Sequence, residues 1–567
     1  MTQTAVQTDL TRQYVRSRWD LQDWLLRHAA ALSRAAAYSA SVLVAAPFIY
    51  HLARGSDAYL GLLEDDYFYY AIIADKLVAL GTLTYDGTTA TNGFHPLWFG
   101  VVWALRAICG RLGPAFYFGL TLISLASMLA TYELARRFAR SLGASRCLAP
   151  AVAAVYSVGT AQLLMVGMES VLAVPLFLWL LVEVARPEPV TARRAAWLGM
   201  IASLAILARL DLAIAVALLI AGFIALVRPS IALLWRVVAA FCAGGTLLPL
   251  YLAANVIVFG SPFPMSMLAK RLSTAPGFNV KYAEIVARGT VYGPTIAIVL
   301  PLGLLALWFL LRRDRRVRPT ARFAGGLALV FAFVFFGLNA LSGWTFFGWY
   351  AYPLAAATIA ALVFMAEWGA AKMRPSPALT LAIAGVVALA PATAVRYYLD
   401  HGPRWSISDN TLIAMSYDLA DRVGTRDGLF AMGAVAGMAT YVLDRPVLQL
   451  EGIVADRRMV DHIRNQDPLE DVLREYGVDY LVVSLANVRA ERVDGCYVVT
   501  QPNAEWAGER TAKMRGAICS EPVAHFFTPR GANRWSRFPP LETLVWDLHA
   551  ATWRRGPGVV ENHPAAD

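Results

Sequence analysis

Long apolar runs separated by short polar breaks fill most of the chain, and the pattern changes near residue 400. Eleven runs have the composition of membrane-spanning helices: 37–53, 115–135, 147–166, 170–185, 195–208, 212–227, 237–258, 290–311, 323–341, 349–367 and 377–395. Several are shorter than the roughly 20 residues that span a bilayer upright. The stretch "HPLWFGVVWALRAICG", 95–110, is also apolar and is read as a helix lying in or dipping into the interface. Beyond residue 401, "DGLFAMGAVAGMATYVLDRPVLQLEGIVAD" reads strand, helix, strand, and "DPLEDVLREYGVDYLVVSL" reads helix, then buried strand. That alternation predicts a small α/β domain. The expected fold is an all-α polytopic membrane domain of about eleven spanning helices plus juxtamembrane helices, followed by this α/β domain. The parts run 1–34 (amphipathic N-terminal segment), 35–400 (membrane domain) and 401–567 (α/β domain).

Composition agrees with a membrane protein. The 567 residues are 58% hydrophobic and only 16% charged, against roughly 25% charged in soluble domains. A net charge of +10 raises the question of nucleic acid. The placement of the arginines excludes it, because they cluster in short loops between apolar runs. If 95–110 does not cross, these loops share one side: Arg136, Arg137, Arg140 and Arg146, then Arg186, Arg193 and Arg194, then Arg228 and Arg236, then "RRDRRVRPTAR" at 312–322, then Lys372 and Arg374. By the positive-inside rule this puts the N-terminus in the cytoplasm and 401–567 outside. The first 28 residues are polar and amphipathic and show no cleavage site, so no cleavable signal is expected.

In that topology every conspicuous polar motif falls on the outer side. "EDDYFYY" follows the first span, with "TNGFHPLW" (91–98) in the same loop. "GMES" (167–170) and "ARLD" (208–211) form turns between spans, and the short spans around "ARLD" place it at the floor of a cavity. "FGSPFPMSMLAKR" (259–271) opens a later loop, and "GWTFFGWYAYP" (343–353) precedes the tenth span. Ionisable groups at membrane depth are costly and usually functional. The candidates are Glu64, Asp65, Asp66, Asn92, His95, Glu169, Arg209, Asp211, Lys270, Trp349 and Tyr350. Each also has a plain structural reading. Glu64, Asp65 and Asp66 can be solvated loop charges, Glu64 above all, and His95 can start a helix. Glu169 and Asp211 can merely pair with Arg209, Lys270 can flank the membrane, and Trp344, Trp349 and Tyr350 can form an aromatic belt.

This ordered set resembles the GT-C superfamily of membrane glycosyltransferases, and within it a bacterial subgroup that includes arabinofuranosyltransferases. The similarity covers about 400 residues. "TNGFHPLW" departs from those arabinofuranosyltransferases by its histidine. The resemblance implies a polyprenyl-phosphate sugar as donor and a hydroxyl of a glycan, lipid or protein as acceptor, at the outer face of the bacterial inner membrane. It implies an inverting transfer with Asp65 as the base and Asp66 orienting the acceptor. Arg209 and Lys270 would hold the donor phosphate, and Glu64, Asn92, His95, Glu169, Asp211, Trp349 and Tyr350 would contact substrate. Adjacent carboxylates repel, so one is expected to titrate high. A divalent cation (Mg, Mn or Ca) on Asp65 and Asp66 is the other way to satisfy them, and the resemblance leaves both open.

Two rival classes are a transporter and a non-enzymatic glycan-binding membrane protein. Within the enzyme class, a phosphoryl or lipid-head transferase using the same pocket is a further alternative. One-sided polarity and the absence of repeat symmetry speak against transport. Of five cysteines, Cys109, Cys147 and Cys242 lie in apolar sequence, whereas Cys496 and Cys519 share the polar C-terminal part and would form a disulfide outside the cytoplasm.

Overall fold

The computed structural model describes residues 28, 30–146, 148–227, 229–272, 318–341, 350, 352–353, 356–363, 391–392, 394–486, 490, 492–502, 512–531 and 539–554. The span expected at 290–311, most of that at 377–395, part of that at 349–367, residues 1–27, Cys147, Trp344 and Trp349 lie outside these residues.

Helices dominate the first part: α1 (Ala30–Ala53), α2 (Asp65–Leu80), α3 (Pro96–Cys109), α4 (Pro114–Ser141), α5 (Leu148–Met165), α6 (Ser170–Val184), α7 (Ala192–Ala208), α8 (Ala213–Val227), α9 (Ile231–Gly244), α10 (Leu247–Phe259), α11 (Met265–Arg271) and α12 (Pro319–Ala340). Local sequence sets their ends. Pro96, Pro114 and Pro319 open α3, α4 and α12 in the first turn, where no amide partner is lost. Gly81 and Gly110 close α2 and α3 in the left-handed conformation. Among the described residues α1, α4 and α12 are long and apolar enough to cross a membrane.

One expected span is instead two helices. The run 237–258 was expected to be continuous, but α9 and α10 bend by 60° at their junction. The cause lies in small residues there. Gly244 and Gly245 weaken the helix, and a Cβ on Gly244 would sit 1.8 Å from the Ala196 carbonyl oxygen. A Cβ on Gly199 would likewise sit 1.9 Å from that of Phe241. Helices α7 and α9 thus touch backbone to backbone, as small residues permit.

The C-terminal part follows the expected alternation: α13 (Thr411–Val423), β1 (Phe430–Met432), α14 (Ala436–Leu443), β2 (Val447–Gln449), α15 (Arg457–Asn465), α16 (Leu469–Glu475) and β3 (Tyr480–Ala486). Strands β4 (Arg492–Val493), β5 (Cys496–Gln501), β6 (Met514–Ile518), β7 (Ala524–Thr528) and β8 (Leu541–Asp547) follow. The main sheet has the order β2-β1-β3-β8-β7; β1 is parallel to β2 and β3, and β8 is antiparallel to β3 and β7. Strands β4, β5 and β6 form a separate antiparallel sheet.

Strand alternation divides this sheet between two cores. Phe430, Met432, Val482 and Val545 face a core shared with the membrane helices and α13, whereas Ala431, Leu481, Leu544 and Trp546 face a second core beneath α15 and α16. The membrane-side core is therefore continuous across residue 400. It fixes the carboxyl ends of β1 and β2 against the loops that follow α1.

Candidate active site

The acidic stretch sits where two helix starts meet. Glu64 is the N-cap of α2, and Asp65 and Asp66 occupy its first turn, a position the helix dipole favours for carboxylates. Opposite lies the start of α14. Asp65 Oδ1 accepts from the Met438 amide at 2.7 Å, and Oδ2 accepts from the Gly437 amide at 3.3 Å and from the Tyr69 hydroxyl at 3.4 Å. A Cβ on Gly437 would lie 2.3 Å from the Asp65 carbonyl oxygen, so the glycine allows this approach. The residue that turns the chain there, Val435, holds φ at 60°, a strained setting for a β-branched side chain.

Asp66 has a different setting. Among the described residues no hydrogen bond reaches its carboxylate, and it keeps a solvent-accessible face. Burial pushes it up to about 7; Lys270 pulls it down, and Asp65, Glu169 and Glu64 push it up. Burial also raises Asp65, to about 6, against its amide hydrogen bonds.

The "GMES" and "ARLD" turns join in a closed ion network. Arg209 is 3% exposed and Glu169 2%. Arg209 Nη1 donates to Glu169 Oε1 at 2.7 Å, and its Nε donates to Asp211 Oδ2 at 3.0 Å. The Tyr350 and Tyr352 rings each stand 4.7 Å from the guanidinium, and the Tyr352 hydroxyl donates to Asp211 at 2.7 Å. The Tyr70 hydroxyl donates to Glu169 at 3.2 Å, and His95 Nε2 lies 3.8 Å from it. His95 is also the N-cap of α3.

Lys270 projects from α11, where Asn92 holds the helix start by accepting the Met265 amide at 3.0 Å. Lys270 Nζ donates to the Tyr350 hydroxyl at 2.7 Å, and its charge bears on Asp66. The two clusters thus meet at Tyr350.

The structure therefore brings together Glu64, Asp65, Asp66, Asn92, His95, Glu169, Arg209, Asp211, Lys270 and Tyr350. The three tyrosines behind the acidic stretch, Tyr67, Tyr69 and Tyr70, are all buried. Among the described residues no group of three His, Cys, Asp or Glu side chains could hold a metal ion. Asp65 accepts from two amides and the Tyr69 hydroxyl, whereas Asp66 accepts no hydrogen bond among the described residues. In the C-terminal part, Cys496 and Cys519 have their Sγ atoms 1.99 Å apart.

Four groups at the site are not among the residues expected from sequence. Tyr352 lies in "GWYAYP", two residues beyond Tyr350. The Gly437 and Met438 amides carry no sequence signal. Glu451, in "VLQLEGIVAD", does carry one: it is a carboxylate breaking an apolar run at the end of a strand. Burial pushes it up to about 8, and the charges of Asp66 and Asp65 push the same way.

No protein-family model matches this sequence. No curated protein matches it either. Among solved structures, the chain is similar to ArnT from Cupriavidus metallidurans, with a TM-score of 0.48 at 14% identity for both the apo form and the form bound to undecaprenyl phosphate. The apo comparison covers 84% of this chain and 93% of that one. The oligosaccharyltransferase of Archaeoglobus fulgidus, tethered with an acceptor peptide, gives a TM-score of 0.45 at 12% identity over 81% of this chain and 69% of that one. The arabinofuranosyltransferase AftD from Mycobacteria gives 0.40 at 16% identity over 93% of this chain and 41% of that one. No residue here takes its role from these proteins.

Proposed function

We propose that the chain is a membrane glycosyltransferase that moves a sugar from a polyprenyl-phosphate carrier to a hydroxyl on the outer side of the membrane, with inversion. The observation that carries the reading is the setting of Asp66, an open carboxylate with a raised pKa, opposed by Lys270. A base needs an unoccupied lone pair and a pKa near the working pH. Asp66 has both.

The base was expected at Asp65, and we assign it instead to Asp66. Asp65 spends its oxygens on the α14 amides, which makes it the tie between α2 and the C-terminal part. In the reaction Asp66 takes the acceptor proton as the hydroxyl oxygen attacks the anomeric carbon. The bond from that carbon to the phosphate oxygen breaks, and the polyprenyl phosphate leaves with the electron pair. Lys270 stabilises the developing negative charge. Arg209 is already balanced by Glu169 and Asp211, so it serves by holding Tyr350, and through it Lys270, in place. A lipid donor also accounts for a site beside apolar helices, because a polyprenol leaves the bilayer only at a large hydrophobic cost.

The arginine-rich loops support a cytoplasmic N-terminus and a C-terminal part outside, which puts the site where lipid-linked sugars are used beyond the membrane. The test is transfer of radiolabelled sugar from polyprenyl-phosphate pentoses and hexoses by purified protein. The reading expects label to leave the lipid with the intact chain and not with Asp66→Asn. Failure of every such donor would overturn it.

A further inference from the structure

The C-terminal part is more than a cover. Ligands of α/β sheets bind beyond the carboxyl ends of parallel strands, and here the carboxyl ends of both β1 and β2 are turned towards Asp65 and Asp66. After β1 the chain runs to Gly437 and Met438, which hold Asp65. After β2 it runs through Glu451, a half-buried carboxylate within electrostatic reach of Asp65, Asp66 and Lys270.

The residues around Glu451 are built to hold it. Gln449 donates through Nε2 to Glu451 Oε2 at 3.1 Å, and its Oε1 accepts the amides of Glu451 at 3.2 Å and Ile453 at 3.1 Å. Gly452 takes φ of 72°, and a Cβ there would stand 3.5 Å from Ala269 on α11, beside Lys270. On the other side, a Cβ on Gly93 would lie 1.9 Å from the Ile453 carbonyl oxygen. The segment is thus wedged between the "TNGFHPLW" loop and α11. The same wall contains an unused donor: Asn92 is 1% exposed, and its Nδ2 has no partner among the described residues.

We propose that Glu451 binds the acceptor, accepting or sharing a hydrogen bond with a hydroxyl of a polyhydroxylated (sugar-like) molecule and turning another hydroxyl towards Asp66. This rests on the glycosyl-transfer reading and adds to it the residue that chooses the acceptor. Lys270 and Tyr350 face the donor phosphate, and Glu451, on the sheet side, faces what receives the sugar. Gln449 is a positioning residue for it. The raised pKa of Glu451 fits a carboxyl that exchanges its proton with a hydroxyl network.

The test is a split between acceptor and donor. Membranes of a strain deleted for this chain supply the natural lipid-linked donor, and a water-soluble envelope extract of that strain supplies acceptor, titrated by dilution. Glu451→Gln keeps the shape and the Gln449 contacts. It should raise the half-saturating amount of extract by up to roughly tenfold, the loss of one hydrogen bond to the acceptor. The maximal rate should fall far less, and binding of undecaprenyl phosphate should be unchanged. Glu451→Asp, which keeps the carboxyl, should recover part of the loss. Unchanged half-saturation in Glu451→Gln overturns the proposal, as does an equal fall in undecaprenyl phosphate binding. If the intact chain transfers nothing, the glycosyl-transfer reading falls, and this proposal with it. Intact transfer with an unmoved Glu451→Gln variant removes this proposal alone.

Discussion

The site has two ionic walls that differ in how completely their charges are answered. On one, Arg209 is enclosed by Glu169, Asp211, Tyr350 and Tyr352, and every charge has a partner at hydrogen-bond distance. On the other, Asp66 shares its surroundings with Asp65, Glu64 and Glu169 against Lys270. A paired buried charge costs little to keep and much to break. A carboxylate crowded by others stays ready to take a proton. In the proposed reaction the first wall is scaffold, and the second is where bonds change.

The largest effect should come from Asp66→Asn. General-base catalysis is worth about 10²–10⁴-fold, so transfer should fall by at least about a hundredfold while polyprenyl phosphate binding holds. Asp65→Asn should cost less in rate, because its side-chain oxygen still accepts one α14 amide, but it should lower the melting temperature. Equal rate losses in the two variants would erase the distinction between base and tie.

The closed wall should answer in stability. Arg209→Gln leaves Glu169 buried and unpaired, a loss of about 3–5 kcal/mol for a broken buried pair, read from thermal or denaturant unfolding. Molecules that remain folded should bind undecaprenyl phosphate more weakly only as far as Lys270 is displaced. Lys270→Gln should do the reverse, weakening binding and slowing transfer with little change in melting.

A smaller effect is expected away from both walls. Replacing Cys496 and Cys519 by Ser opens a loop spanning 23 residues. In the chain-entropy model this costs about 3 kcal/mol, confined to the C-terminal sheets and without effect on catalysis. Thiol labelling of the intact chain, unfolded and unreduced, should find only Cys109, Cys147 and Cys242.

The difference between the walls also marks what could be read from sequence. "GMES" and "ARLD" stand out because a charge in an apolar run is rare, and both proved to belong to one network. The strand and helix alternation after residue 428 was visible through its period, and β1, α14, β2, α16 and β3 all appear. The shared core across residue 400 was not visible, because strand alternation says which residues share a face but not what that face meets. The choice between Asp65 and Asp66 was hidden for a related reason. It depends on two backbone amides over 370 residues away, and an amide has no letter in the sequence. Glu451 is legible by the same rule as Glu169, a carboxylate breaking an apolar run. The α9 and α10 bend was signalled by the paired glycines and obscured by the even hydropathy around them.

The most direct test of the central claim is the rate of sugar transfer from polyprenyl phosphate as a function of pH. Asp66 works as a base only when deprotonated, so with a pKa of about 7 the rate should climb as pH rises to about 7 and level off above it. Stability should move the other way. Burial raises the folded-state pKa of Asp65 and Asp66, so their contribution is complete below the ordinary value near 4 and is lost as pH rises through about 7. Asp66→Asn should remove the rise in rate along with most of the rate. A profile already level from pH 5 in the intact chain, or the same limb persisting in Asp66→Asn, would contradict the assignment of the base.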